Sequence, residues 1–216
     1  MSGMAIERIL HIQALSFAYP GLPALASQWS ATIPAGITLL LGDTGSGKTT
    51  LLRLLAGTAP VDGRLTLGGI RFDAEPAAYR RAVFWQEPGS DVFDQQSPRQ
   101  IVATLHSDRP GFDLTAWAHH ADAFALGPHL DKPLYMLSTG SKRKVWLTMA
   151  LASCCPLTLL DEPFGALDAP SIAHLRRALA EASTQRDRAL IVASSEVPGG
   201  VPLSGRIELP LNRRGA

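Results

Sequence analysis

The sequence predicts an α/β fold: a mainly parallel central sheet, a small antiparallel β subdomain and an inserted helical subdomain. Three observations carry this expectation. Four short, continuously apolar runs each end at a polar or glycine residue, the pattern of strands buried on both faces of a parallel sheet. The first of these runs leads through a glycine-rich turn into a segment with leucines at helical spacing. Between the second and third runs the chain switches to helical patterns broken by prolines, with few β-branched runs. The 216 residues suffice for one domain with a substantial core.

In chain order, Ile9–Ala14 and Gln28–Ile33 read as short strands around the turn-rich Tyr19-Pro20-Gly21-Leu22-Pro23. Ile37–Leu41 is the first buried strand, ending at Gly42. Leu51–Ala56 is helical and closed by Gly57, and Asp62–Gly69 forms a hairpin arm after the break at Thr58-Ala59-Pro60. Ala82–Trp85 is the second buried strand, ending at Gln86. A helical lobe follows over Asp91–Ala152, interrupted at Pro98, Pro110-Gly111, Gly127-Pro128 and Pro133. Leu157–Leu160 ends at Asp161-Glu162. Ala169-Pro170 opens a helix through Ser183 that places Ile172, Leu175 and Leu179 on one face. Ala189–Ala193 ends at Ser194-Ser195-Glu196, and Gly205–Leu209 is the last strand. Ligands of such sheets bind beyond the carboxyl ends of the strands, so one crevice is expected to collect all four ends.

The turn Gly42-Asp43-Thr44-Gly45-Ser46-Gly47-Lys48-Thr49-Thr50 fits G-x-x-x-x-G-K-[ST] between a strand and a helix, the context of a phosphate-binding P-loop. Its glycines let successive N–H groups turn inward at an anion with no Cβ in the way. The start of the next helix adds partial positive charge. Lys48 supplies a point charge for β- and γ-phosphates, and the Thr49 hydroxyl can ligand Mg²⁺. The chain is therefore expected to bind a nucleoside triphosphate on a P-loop NTPase fold.

Composition excludes other classes. With 46% hydrophobic and 18% charged residues and a net charge of +1, there is no electrostatic case for nucleic acid or an anionic membrane surface. The clusters Lys142-Arg143-Lys144 and Arg213-Arg214 suit a solvated helix face and a tail. No apolar run reaches the length of a membrane span and no signal-like segment opens the chain, so a soluble, intracellular protein is expected. Cys154 and Cys155 are adjacent and read as small apolar fillers. The histidines lack ligand spacing, His119 and His120 are expected on different helix faces, and no protein-ligated transition metal is expected.

Taken together, Tyr19, the P-loop, Gln86, Leu137-Ser138-Thr139-Gly140-Ser141 and Leu159-Leu160-Asp161-Glu162-Pro163-Phe164-Gly165-Ala166-Leu167-Asp168 occur in an order that resembles the ATP-binding cassette (ABC) ATPases over nearly the full length. The resemblance implies a single ABC ATPase domain over residues 1–216, with about 88–152 as its helical subdomain between the glutamine loop and the Walker B strand. It implies ATP and Mg²⁺ as cofactors. Asp161 would hold the metal with Thr49, and Glu162 would act as general base. Gln86 would reach both metal and water, and Lys48 would act on the phosphates. Tyr19 would stack on adenine, although beside Pro-Gly it reads equally as a turn residue. Asp168 would lie at a dimer seam, and it could instead, or also, cap the helix opening at Ala169-Pro170. Ser138, Thr139 and Gly140 would present a helix start to the nucleotide of a second subunit, or form a plain N-cap.

Two motifs depart from the family pattern. Thr139 and Ser141 stand where the signature has glycine and glutamine, and Ser195 falls where a switch histidine is expected. Serine can hydrogen-bond a γ-phosphate but lacks imidazole's titratable charge, so slow hydrolysis is expected while binding is retained. The implied function is the ATPase subunit of an ABC transporter. It would pair head to tail as a homodimer or heterodimer and bind a separate multi-span permease from the cytoplasmic face of the membrane. An ATP-dependent switch or clamp with little hydrolysis is the alternative. A P-loop kinase would explain Lys48 but not Leu137–Gly140 or Asp161–Asp168.

Overall fold

Strands apolar on both faces must be covered on both sides, and the computed structural model, which describes residues 10–109 and 111–211, shows how. Five strands form one sheet: β3 (Gly36–Leu41), β6 (Val83–Phe84), β7 (Leu157–Asp161), β8 (Ala189–Ser194) and β9 (Gly205–Glu208). Their order is β6-β7-β8-β3-β9 and every pairing is parallel, so all their carboxyl ends lie along one edge. Along β8 the side chains alternate between two cores. Ala189, Ile191 and Ala193 pack on one face, Leu190 and Val192 on the other.

The first face is covered by α1 (Lys48–Ala56) and by a second, antiparallel sheet. That sheet contains β1 (Leu10–Phe17), β2 (Ala26–Ile33), β4 (Asp62–Leu67) and β5 (Ile70–Arg71) in the order β2-β1-β4-β5. The opposite face carries α5 (Thr139–Ala152) and α6 (Ala169–Ala182). A short helix, α2 (Pro76–Arg81), leads into β6. The segment between β6 and β7 holds α3 (Pro98–Asp108), α4 (Leu114–Ala123), two 3₁₀ turns and α5. Ser97 and Gln100 form a reciprocal capping box at the start of α3, and Asp113 accepts from Thr115 and Ala116 at the start of α4.

Some boundaries differ from the sequence reading. The first strand continues to Phe17 instead of ending at Ala14, because Ala14 takes φ 52° in a register shift and the pairing resumes at Leu15. The run Ala82–Trp85 contributes only Val83 and Phe84, since β6 is an edge strand paired with β7 alone. Ile9, Pro110 and Arg213-Arg214 lie outside the described residues. Buried Arg188 donates to the carbonyls of Ala150 and Leu151 and to Thr158 Oγ1, which fixes the end of α5 to β7.

His119 and His120 do not part as expected. Both rings lie against His174 of α6, at 5.9 and 5.3 Å between centroids, and His120 Nδ1 is 3.1 Å from His174 Nε2. Neighbours about 100° apart on a helix can both flank a side chain rising from a packed helix. Burial, then His174 and His119, lowers the pKa of His120 to about 4, with Asp113 opposing; His174 is lowered too, by burial first, with Arg177 and His119 adding and Glu181 opposing. The folded pKa lies below the unfolded one, so the unfolded chain binds more protons in this window. Stability from this contact is complete above about pH 6.5 and lost as pH falls towards 4. Thermal unfolding at pH 7, 6, 5 and 4 should show a steeper fall of the midpoint for the native chain than for His120→Gln, which loses the ionisable group at position 120 and keeps His119 and His174.

Candidate active site

At the end of β3 the backbone turns away from the sheet, and Gly42 N–H donates to Ser194 O of the neighbouring strand at 3.3 Å. Gly47 is the N-cap of α1 with φ 101°, a conformation that a Cβ would strain. Among the described residues no side chain caps α1, and its first turn holds no acidic residue, so the N–H groups there are unclaimed by those side chains and the helix start presents positive potential. Lys48, 6 % exposed, folds back over the turn and donates to Gly42 O at 2.5 Å and to Asp43 O at 3.0 Å. Its ammonium is also 3.1 Å from Glu162 Oε1. Thr49 Oγ1 donates to Asp161 Oδ2 at 2.5 Å.

Parallel pairing of β7 next to β8 delivers Asp161 and Glu162 to this place. Burial raises the pKa of Asp161, and neighbouring Glu162 pushes it the same way; the bond from Thr49 and the charges of Lys48 and Arg143 oppose the rise. Glu162 has φ 44°, a left-handed conformation that costs a non-glycine residue about 1–3 kcal/mol. Three contacts hold it there. Its N–H donates to Ala193 O at 2.9 Å, and its carbonyl accepts from Gly165 N–H at 3.1 Å and from Arg143 Nη1.

The remaining predicted residues fall into two groups. Tyr19 lies beside the P-loop, with its hydroxyl 3.0 Å from Thr50 Oγ1 and its ring edge-on to Phe17, and it is 44 % exposed. Gln86 lines a cavity of about 350 Å³ together with Asp161 and Arg143, but its amide bonds weakly to the Glu87 carbonyl. Ser195 is exposed beyond β8 and has no hydrogen bond among the described residues. No hydrogen bond joins Ser138, Thr139 or Gly140 to the P-loop among the described residues. Ser138 and Thr139 are exposed, and Ser138 Oγ accepts from Ser141 N–H at 3.1 Å as the N-cap of α5. Gly140 packs so tightly that a Cβ would lie 2.6 Å from Ala166 O. Asp168 caps α6 through Ser171 N–H at 2.8 Å and pairs with Lys144 at 2.6 Å, and those bonds hold its carboxyl far below the usual range.

Sequence reasoning missed Arg143 and the pairing of Arg53 with Glu87. Arg143 reads as part of a solvated basic cluster, yet its guanidinium turns inward to Glu162. Arg53 of α1 binds Glu87 through Nε at 2.5 Å, tying the P-loop helix to the loop that carries Gln86. Glu87 adjoins a predicted residue, which is the only local signal for either. The residues present fit a Mg²⁺–nucleotide. Thr49 and Asp161 offer hard oxygen donors side by side, and the buried Ser46 Oγ of the P-loop has no hydrogen-bond partner among the described residues.

A parallel sheet with a glycine-rich turn at its edge, a buried lysine and two acidic residues beside it defines a P-loop protein of α/β class. The chain belongs to the ABC transporter family, whose model matches residues 27–165. It is 35% identical over 175 residues to the cytochrome c biogenesis ATP-binding export protein CcmA of Pseudomonas putida, covering 79% of this chain and 83% of that one. To the taurine import ATP-binding protein TauB of Pseudomonas entomophila it is 31% identical, covering 93% and 78%. The bicarbonate transport ATP-binding protein CmpC of Synechococcus elongatus is 34% identical across 82% of this chain, which spans only 27% of the length of that relative. Among solved structures, an ABC transporter ATP-binding protein of Pyrococcus furiosus shares the fold at TM-score 0.74 and 20% identity, over 93% of this chain and 97% of that one. Members of the family in general bind ATP with Mg²⁺ and hydrolyse it.

The two bonds of Asp168 can be separated. Asp168→Ala removes the cap of α6 and should cost about 1 kcal/mol in urea unfolding. Asp168→Asn keeps a capping oxygen and loses only an exposed ion pair, so its stability should stay within about 0.5 kcal/mol of the native chain.

Proposed function

We propose that this chain is the ATP-binding and ATP-hydrolysing subunit of an ABC transporter, closing head to tail with a second cassette over two ATP molecules. On this reading residues 1–216 act as one ABC ATPase domain, with about 88–152 as its helical part. It sits at the cytoplasmic face of a membrane through a separate multi-span permease. Among the described residues no helix is long and apolar enough to cross a membrane. The observation that carries the reading is the convergence of Lys48, Thr49, Asp161 and Glu162 at one edge of a parallel sheet.

Each residue then has a task. Lys48 exchanges the carbonyls of Gly42 and Asp43 for phosphate oxygens, and on doing so releases Glu162 to accept a proton from the attacking water. Thr49, Asp161 and Gln86 would hold Mg²⁺, which neutralises phosphate charge when bound. The N–H groups from Gly42 to Thr50 cradle the phosphates, and the exposed ring of Tyr19 takes the adenine. Ser138, Thr139 and Gly140 open α5 towards solvent, where a second cassette's nucleotide can meet a helix start. Asp168, already committed to α6, contributes to the seam through its backbone turn. Ser195 stands in place of a titratable group, so turnover depends on Glu162 and is slow.

The test combines binding and turnover. Lys48→Ala should weaken ATP affinity at least about tenfold, by removal of the buried charge. Glu162→Gln should bind ATP, lose about a hundredfold or more of its hydrolysis and accumulate as an ATP-dependent dimer in size-exclusion chromatography. Unchanged ATP affinity in Lys48→Ala would overturn the site. Recovery of no multi-span protein with the chain from detergent-solubilised membranes would overturn the transporter assignment.

A further inference from the structure

We propose that Arg143 is a positioning residue for Glu162, holding the backbone of the general base in its left-handed turn through a guanidinium that only Gly165 leaves room for. The inference rests on the hydrolytic reading above and adds to it a residue outside the motifs. Three observations lead here. Arg143 Nη1 donates to the carbonyl of Glu162 itself, not to its carboxylate, so the arm acts on the main chain and leaves Oε1 beside Lys48. Glu162 has φ 44°, and such a conformation in a non-glycine residue persists only where its surroundings over-determine it. A Cβ built on Gly165 would lie 2.6 Å from Arg143 Nη1 and 3.5 Å from Glu162 O, so any side chain at 165 meets the guanidinium first.

The alternative is a surface arginine with an incidental contact. Its surroundings argue otherwise: Arg143 is half-buried and lines the same cavity as Gln86 and Asp161. It projects from the first turns of α5, whose start carries the exposed Ser138 and Thr139 and whose end is clamped to β7 by Arg188. Without Arg143, the Glu162 carbonyl keeps, among the described residues, only the Gly165 N–H. The turn is then free to relax, and the carboxylate loses its fixed place at the end of β7 beside the P-loop. Misplacing a reacting group by about 1 Å costs on the order of a hundredfold in rate. Binding of nucleotide, which depends on the P-loop, is untouched.

Steady-state ATP hydrolysis and titration with a fluorescent ATP analogue decide the matter for Arg143→Ala, Arg143→Lys, Gly165→Ala and the double alanine variant. Arg143→Ala should lose about ten- to hundredfold in kcat, with KM and nucleotide affinity changed less than about twofold. Gly165→Ala keeps the arginine but displaces the end of its flexible side chain, and should reproduce the loss. The double variant should be no worse than Arg143→Ala, because both changes remove one contact. Arg143→Lys should recover part of kcat by donating a single N–H. Native kcat in Arg143→Ala, weakened ATP binding at unchanged kcat, or losses that multiply in the double variant would each overturn the proposal. Should Arg143→Ala not fold, Gly165→Ala carries the test alone. Hydrolysis by the native chain and its loss in Glu162→Gln serve as the control. If those hold while Arg143→Ala and Gly165→Ala are fully active, only this inference falls; if the native chain does not turn over ATP, the hydrolytic reading falls and takes this one with it.

Discussion

The ammonium of Lys48 is the charge around which the active-site edge is arranged. It is nearly buried, and a buried ammonium is tolerated only with counter-groups close by, since an uncompensated one costs several kcal/mol. Two carbonyls of its own loop and the carboxylate of Glu162 provide them. The same contacts join the end of β3 to the end of β7, strands that are not neighbours but are separated by β8. Bridging that gap requires the P-loop to arch over β8, and the Gly42 N–H to Ser194 O bond fastens it there. On the proposed reading, a phosphate would take over the charge-balancing role that Glu162 has beside Lys48.

Rigidity behind the site comes from the two cores on either face of the sheet. Alternation along β8 puts Ile191 against α1 and the antiparallel sheet, and Val192 against α5 and α6. The P-loop and the two carboxylates thus stand on strands gripped from both sides, which suits a site whose charges must hold position without help from water. The turn after β7 is different. Glu162 and Ala166 both have positive φ, and both carbonyls face α5: Glu162 O takes Arg143, and Ala166 O crowds Gly140. Helix α5 therefore serves as the wall against which the strained turn is shaped.

Much of this was legible locally. The four apolar runs announced a parallel sheet because strands with two buried faces cannot alternate, and the glycine-rich turn between the first of them and a helix was legible from its spacing. Ala169-Pro170 behind Asp168 signalled a capped helix start, and the aspartate is indeed engaged as the cap. Where pattern misled, long-range packing was responsible. His119 and His120 look divergent on a helical wheel, yet α6 inserts His174 against both. Arg143 sits in a run of three basic residues, and nothing within α5 distinguishes the one that turns inward.

By itself the sequence determined the element types, the sheet class, the glycine-rich turn and the order of motifs along the chain, because each is a property of neighbours within a few residues. The tertiary structure alone decided strand order, the meeting of Lys48 with Glu162 and the capture of the Glu162 backbone by Arg143. Those depend on which surfaces pack together, and contacts between residues far apart in the chain leave no periodic trace in it.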